Sequence, residues 1–198
     1  MRAPAWQLLT LLTLVSPPDR ATSAGCDVST EGGALAVYKE LTGRQGTPRC
    51  IEIRREFPGL AYVGTVVPDA GCLGTIMIWQ CRKAGDADVP AILQAAGWSA
   101  GDDVQRMKIA RDWLGDSVLW DGTKDVRQTF ADAGKIYSPA TMTARNGGVR
   151  VEGWRLETSM TIAGPSWWYS RFTADFAADG RVVQSVGEPF RGGPIQYP

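Results

Sequence analysis

The stretch from Cys50 to Cys81 constrains the fold most, because three apolar runs are separated there by two turn signals. From Cys50 to Phe57, Ile51, Ile53 and Phe57 alternate with Glu52, Arg54 and Glu56, the period-two pattern of a half-buried strand. Pro58-Gly59 then turns the chain into Leu60 to Val67, and Pro68-Asp69-Ala70-Gly71 turns it into Leu73 to Cys81. The expectation is a three-stranded antiparallel meander. A helix precedes it over Glu31 to Leu41, where Leu35, Tyr38 and Leu41 share helical spacing and Gly43 is the stop.

The second half repeats this order. Asp88 is an N-cap, Pro90 suits a first helical turn and Gly97 closes that segment. Ser99 and Asp102 open a longer helix with Val104, Met107, Ala110, Leu114 and Val118 as one apolar stripe, and a further helix spans Thr123 to Ala133 with Gly134 as cap. Strands are expected near 136–144, 149–162, 167–177 and 181–186, with the Gly- and Pro-rich tail extended on the surface. The fold class is therefore α+β, with helices packed on antiparallel β-sheet in two helix-then-meander halves. Its expected divisions are a leader at 1–24, a helix plus three-stranded meander at 25–84, and helices plus a four-stranded antiparallel sheet at 85–198, the two halves packed as one unit.

The leader has Arg2, an apolar run from Leu8 to Val15, and Thr22 and Ala24 at the positions that precede a cleavage site. It reads as a secretory signal peptide cut after Ala24. Pro17, Pro18, Asp19 and Arg20 end the apolar run too early for a membrane span, which needs about 20 residues. Ser23-Ala24-Gly25-Cys26 is a partial match to a lipidation box, and an anchor at Cys26 is the weaker reading. An extracytoplasmic location, secreted or periplasmic, is expected, with no transmembrane segment.

With 21 basic and 21 acidic residues the chain is formally neutral, so electrostatics gives no case for a nucleic-acid partner. There is no histidine, which removes the usual Ser-His and Cys-His nucleophile arrangements and His-based metal sites. Carboxylates are the remaining candidates for catalysis. Asp112 and Asp116 lie four apart on the long helix, with Asp121 and Asp125 beyond, but the favoured reading puts the first two on the solvated face. The spacing after Asp121 does not fit a calcium loop. No cofactor and no metal site is expected.

Four cysteines in an exported chain read first as two disulfides. Cys72 and Cys81 fall at opposite ends of one strand, roughly 30 Å apart, whereas bridged Cα atoms lie within about 7 Å. The meander leaves Cys50 with Cys72 at one end of the sheet and Cys26 with Cys81 at the other.

Of eight tryptophans, Trp79, Trp98, Trp113, Trp120 and Trp154 read as packing residues. The run from Gly164 to Phe172 sets Trp167, Trp168 and Tyr169 side by side after a turn. A three-residue loop at Ala163-Gly164-Pro165 would pair Leu156 with Phe172, Met160 with Trp168 and Glu157 with Arg171, leaving Trp168 in the core. Trp167, Tyr169, Arg171 and Glu157 would then form an outer aromatic face suited to ligand binding. The apolar phase slips between Val151 and Trp154, and a bulge near Gly153 would account for it. The resulting expectation is a non-enzymatic module that binds a protein or an envelope polymer. The alternatives are a carboxylate-dependent hydrolase and a structural envelope protein without a soluble ligand.

Overall fold

A computed structural model describes residues 27–43, 50–67, 71–161 and 164–194, and gives the backbone alone at 65–67, 71–74, 158–161, 164–166 and 191–194. The fold is α+β, with helices contacting two four-stranded antiparallel sheets. The leader, Cys26 and the side chain of Cys72 lie outside the described residues.

Helix α1 (Glu31–Thr42) starts where the Thr30 side chain accepts the Gly33 backbone N–H, and it stops at Gly43 in the left-handed conformation. Strands β1 (Cys50–Arg54), β2 (Leu60–Val67) and β3 (Gly71–Trp79) form the meander. A fourth strand, β4 (Arg82–Lys83), adds to β3 through a two-residue turn at Gln80 and Cys81. Both turn residues have positive φ, 47° and 65°. Such a turn ordinarily uses Asn-Gly or Asp-Gly, so Gln-Cys gives no warning of it and three strands were expected where four form. Alternation along β2 serves two layers. Ala61 and Val63 pack with Val37 and Tyr38 of α1, while Leu60 and Tyr62 turn to the opposite face and a larger core.

That larger core joins the two halves of the chain. Phe57, Leu60 and Trp79 meet Ile92 and Leu93 of α2 (Val89–Ala95), Ile109 and Ala110 of α3 (Asp103–Leu114), and Val149, Val151, Phe172, Ala174 and Phe176 of the second sheet. Trp98 is fully buried there and donates its indole N–H to the Ala177 carbonyl at 2.9 Å. Asp102 caps α3 through the Gln105 N–H at 2.8 Å, and Thr123 caps α4 (Lys124–Asp132) through the Val126 N–H. Helix α3 ends at Gly115, ahead of Val118, and Val104 is 72 % exposed instead of joining the apolar stripe.

The second sheet runs β5 (Thr141–Arg145), β6 (Gly148–Thr161), β7 (Gly164–Phe176) and β8 (Val182–Pro194) in sequence order. Of the tail expected to lie extended on the surface, residues 187–194 form the second half of β8, exposed at 187–189 and with Phe190 packed against a core cluster. Two irregularities in the β7–β8 ladder absorb it, and Pro189 and Pro194 are tolerated because β8 is an edge strand.

No bulge interrupts β6 and β7, whose pairing runs in one register from Val149 opposite Phe176 to Thr161 opposite Gly164. The phase slip has another cause. Near one end, Val149, Val151, Phe172 and Phe176 face the shared core. Near the other, Trp154, Leu156, Tyr169 and Phe190 point through the opposite face toward Phe130 of α4. One flat ladder thus changes its buried face midway, because a different helix layer covers each half.

Candidate functional site

The expected aromatic face is not the surface that the register builds. Observed pairing sets Glu157 opposite Trp168 and Arg171 opposite Trp154, three positions away from the expected alignment. An odd shift exchanges faces. Trp167, Tyr169 and Arg171 do share a face, but Glu157 is on the other one and makes no ion pair with Arg171. Tyr169 is 5 % exposed and lies 5.1 Å from the Phe130 ring, so it is interior to the cluster under α4. Trp167 packs half-buried at the rim of that cluster, edge-on to Tyr169. Arg171 is exposed, with its guanidinium 5.6 Å above the Trp154 ring. Trp168, expected as core, is half-buried and belongs to none of the three clusters among the described residues.

An open concave surface lies elsewhere, between α3 and the β1–β2 turn. Phe57 in that turn meets Trp113 of α3 edge-to-face with centroids 5.3 Å apart, and this contact holds the hairpin against the helix. Two cavities flank it. One, of about 500 Å³, is lined by Glu52, Arg54, Arg111, Asp116 and Trp120. The other, of about 480 Å³, is lined by Phe57, Ala96, Val104 and Ile109 and by the polar Asp102, Gln105 and Lys108. Glu56 and Asp112 line both, so the two form one groove along α3, polar at the C-terminal end and more apolar at the N-terminal end.

Arg54 organises the polar end. Its side chain is 16 % exposed, and it reaches Glu52 at 3.4 Å and Glu56 at 3.8 Å. It also donates to the backbone carbonyl of Asp112. These contacts compensate a largely desolvated guanidinium and tie β1 to α3. Asp112 accepts from Lys108 Nζ at 2.7 Å, and this hydrogen bond, ahead of the Coulombic attraction, raises the pKa of the lysine. Arg111 covers the Trp120 ring with its guanidinium carbon 5.0 Å from the centroid, while the indole N–H donates to Gly115 O at 3.1 Å.

Sequence reasoning placed Asp112 and Asp116 on a solvated helix face; Asp116 is exposed and Asp112 half-buried, and both line this open groove. The alternation of β1 did mark Glu52, Arg54 and Glu56 as one strand face. What it lacked was the non-local contact that lays this face against α3. Among the described residues, no group of three or more Cys, Asp or Glu is placed to hold a metal ion, and no helix is long and apolar enough to cross a membrane. Comparison with family models, curated proteins and solved structures gives no match.

Proposed function

We propose that this chain is a secreted or periplasmic, non-enzymatic module that binds a segment of a protein or an envelope polymer in the groove along α3. The observation that carries this reading is the continuity of two open cavities across Glu56 and Asp112. Helix α3 has twelve residues, which gives it a length of about 18 Å, so the groove suits an extended chain better than a compact small molecule. The outer aromatic surface considered from sequence contributes Arg171 and the rim of Trp167 as a second, weaker contact area.

Export is supported by the leader pattern and by the described cysteines, neither of which is a free thiol. We assign Cys50 to Cys72 and Cys26 to Cys81. Cys50 stands opposite Gly64 on β2, whereas Cys81 lies just beyond Trp79, opposite Leu60. Four positions along a strand are about 13 Å, more than the roughly 7 Å that a bridge spans. Cys72, opposite Val66, lies toward the Cys50 end.

The test is retention of soluble envelope polymers, peptide and glycan fractions separately, on immobilised protein. Asp116→Lys and Val104→Asp, both at exposed positions, should each reduce retention while the thermal transition stays near that of the parent. Equal retention by both variants would remove the groove from the reading. A hydrolytic reading draws on Asp112 and Asp116 lining the same cavity. It requires Asp116→Asn to abolish turnover of a retained polymer, and turnover lost in that variant would replace the binding reading.

A further inference from the structure

We infer that the occupant of the α3 groove is an extended peptide bearing an apolar side chain at one end and a basic side chain about five residues away. This rests on the binding reading above and names the chemistry of its ligand.

The apolar end is shaped for a side chain. Val104 presents exposed methyl groups, with Ile109, Ala96 and the edge of Phe57 behind it. A sugar is recognised by a flat ring face beneath it and a dense set of planar hydrogen-bonding groups. This end opens no flat ring face, since Phe57 is 1 % exposed, and although Asp102, Gln105 and Lys108 place polar groups beside it, its apolar surface can take leucine, isoleucine or phenylalanine from an extended strand.

The polar end is negative where a ligand would meet it. Arg54 is turned inward onto Glu52, Glu56 and a carbonyl, and Arg111 is exposed with its guanidinium carbon 5.0 Å from the Trp120 ring centroid. Lys108 is exposed at mid-groove but is held by Asp112. The carboxylates of Glu52 and Glu56 are 63 % and 46 % exposed, and Asp116 is exposed beside them. Across the groove five carboxylates, of Glu52, Glu56, Asp102, Asp112 and Asp116, face three cations, of Arg54, Lys108 and Arg111, and this excess of negative charge is complementary to lysine or arginine. Val104 stands near the start of α3 and Asp116 just past its end, about 18 Å along the axis, which an extended chain covers in five to six residues at about 3.3 Å each.

The experiment is a synthetic hexapeptide array probed with the purified full-length chain, alongside a soluble glycan strand at matched concentration. The expected result is enrichment of peptides with an apolar residue near one end and a basic residue near the other, with binding that weakens as salt is raised. Val104→Asp should lower the affinity of the selected peptide by about tenfold or more, and Asp116→Lys should shift the preference toward acidic peptides. Thermal melts of both variants separate these effects from unfolding. Selection of acidic peptides, or of peptides without positional preference, would overturn the peptide assignment. Glycan retained in a groove-dependent way with no peptide selected would overturn it while leaving the binding reading standing. No retention of either ligand would sink both.

Discussion

Leu156 stands directly opposite Tyr169 in the β6–β7 ladder, and both side chains join the cluster around Phe130 of α4. Phe130 is fully buried, with the rings of Trp154, Tyr169 and Phe190 at 4.9, 5.1 and 4.8 Å. Truncating Tyr169 removes a wall of that cluster. Tyr169→Ala is therefore expected to cost about 3 to 5 kcal/mol, as other buried aromatic truncations do, and Trp168→Ala clearly less. Urea denaturation of the two variants checks the order, and a larger loss for Trp168→Ala would mean that the strand register is different.

The same burial gives an alkaline prediction. Desolvation raises the Tyr169 pKa above its ordinary value of 10.0, and desolvation also raises that of Tyr62, partly offset by Arg54. A raised folded-state pKa means that the folded protein holds the phenolic proton more tightly than the unfolded chain. This contribution is fully present below the unfolded tyrosine pKa and is lost as pH rises through the higher folded value. Stability should fall on the alkaline side of about pH 10, and Tyr169→Phe should flatten that limb while changing little at neutral pH. Melting temperature against pH, with tyrosinate absorbance as the titration readout, decides it.

Ser170 offers the opposite kind of test. It is 1 % exposed on the core face of β7, and its hydroxyl oxygen has no hydrogen-bond partner among the described residues. A buried hydroxyl that has given up water without a replacement bond is a cost, not a support. Ser170→Ala should be neutral or stabilising by up to about 1 kcal/mol. For comparison, removing the Asp102 cap of α3 by Asp102→Ala should cost about 1 kcal/mol. If Ser170→Ala destabilises as much as Asp102→Ala, an ordered water or a moved side chain satisfies the hydroxyl in solution.

The elements that were legible in the sequence are those specified by local chemistry. Asp102, Thr123 and Gly43 mark helix ends because cap geometry involves only neighbouring residues, and Pro58-Gly59 marks the turn into β2 for the same reason, although β1 already ends at Arg54 and not at Phe57. What failed depended on partners distant in the chain. The β6–β7 register was aligned by collecting all apolar residues on one face, yet two layers claim opposite faces of the sheet. The slip between Val151 and Trp154 on β6 has a counterpart on β7 between Tyr169 and Phe172. Laying one slip beside the other yields nearly the observed pairing, a signal that was present and went unused. The groove had no such signal. Glu52 and Asp116 line one cavity because Phe57 packs on Trp113 and Arg54 reaches the Asp112 carbonyl, and no periodicity in either segment reports those contacts.

Gly153 sits where the buried face changes, and its role distinguishes a crossing from a bulge. A Cβ added there would lie 2.6 Å from the Ala140 Cβ and 2.8 Å from its Cα, closer than real Cβ atoms approach. Ala140 is tied in place because its N–H donates to the Leu119 carbonyl at 3.0 Å, and the Leu119 N–H in turn donates to the Trp154 carbonyl at 2.9 Å. The glycine lets this connection pass flat over β6 just beyond the end of β5, so the requirement is space and not an unusual backbone angle. Gly153→Ala should therefore destabilise by about 1 to 3 kcal/mol through overpacking, although alanine is otherwise no worse than glycine in a strand. The clash also predicts partial rescue by Ala140→Gly, since removing the opposing methyl relieves the closer of the two contacts. A double-mutant cycle measured by chemical denaturation reads this coupling directly. Additive losses for the two substitutions would show that Ala140 does not lie over Gly153.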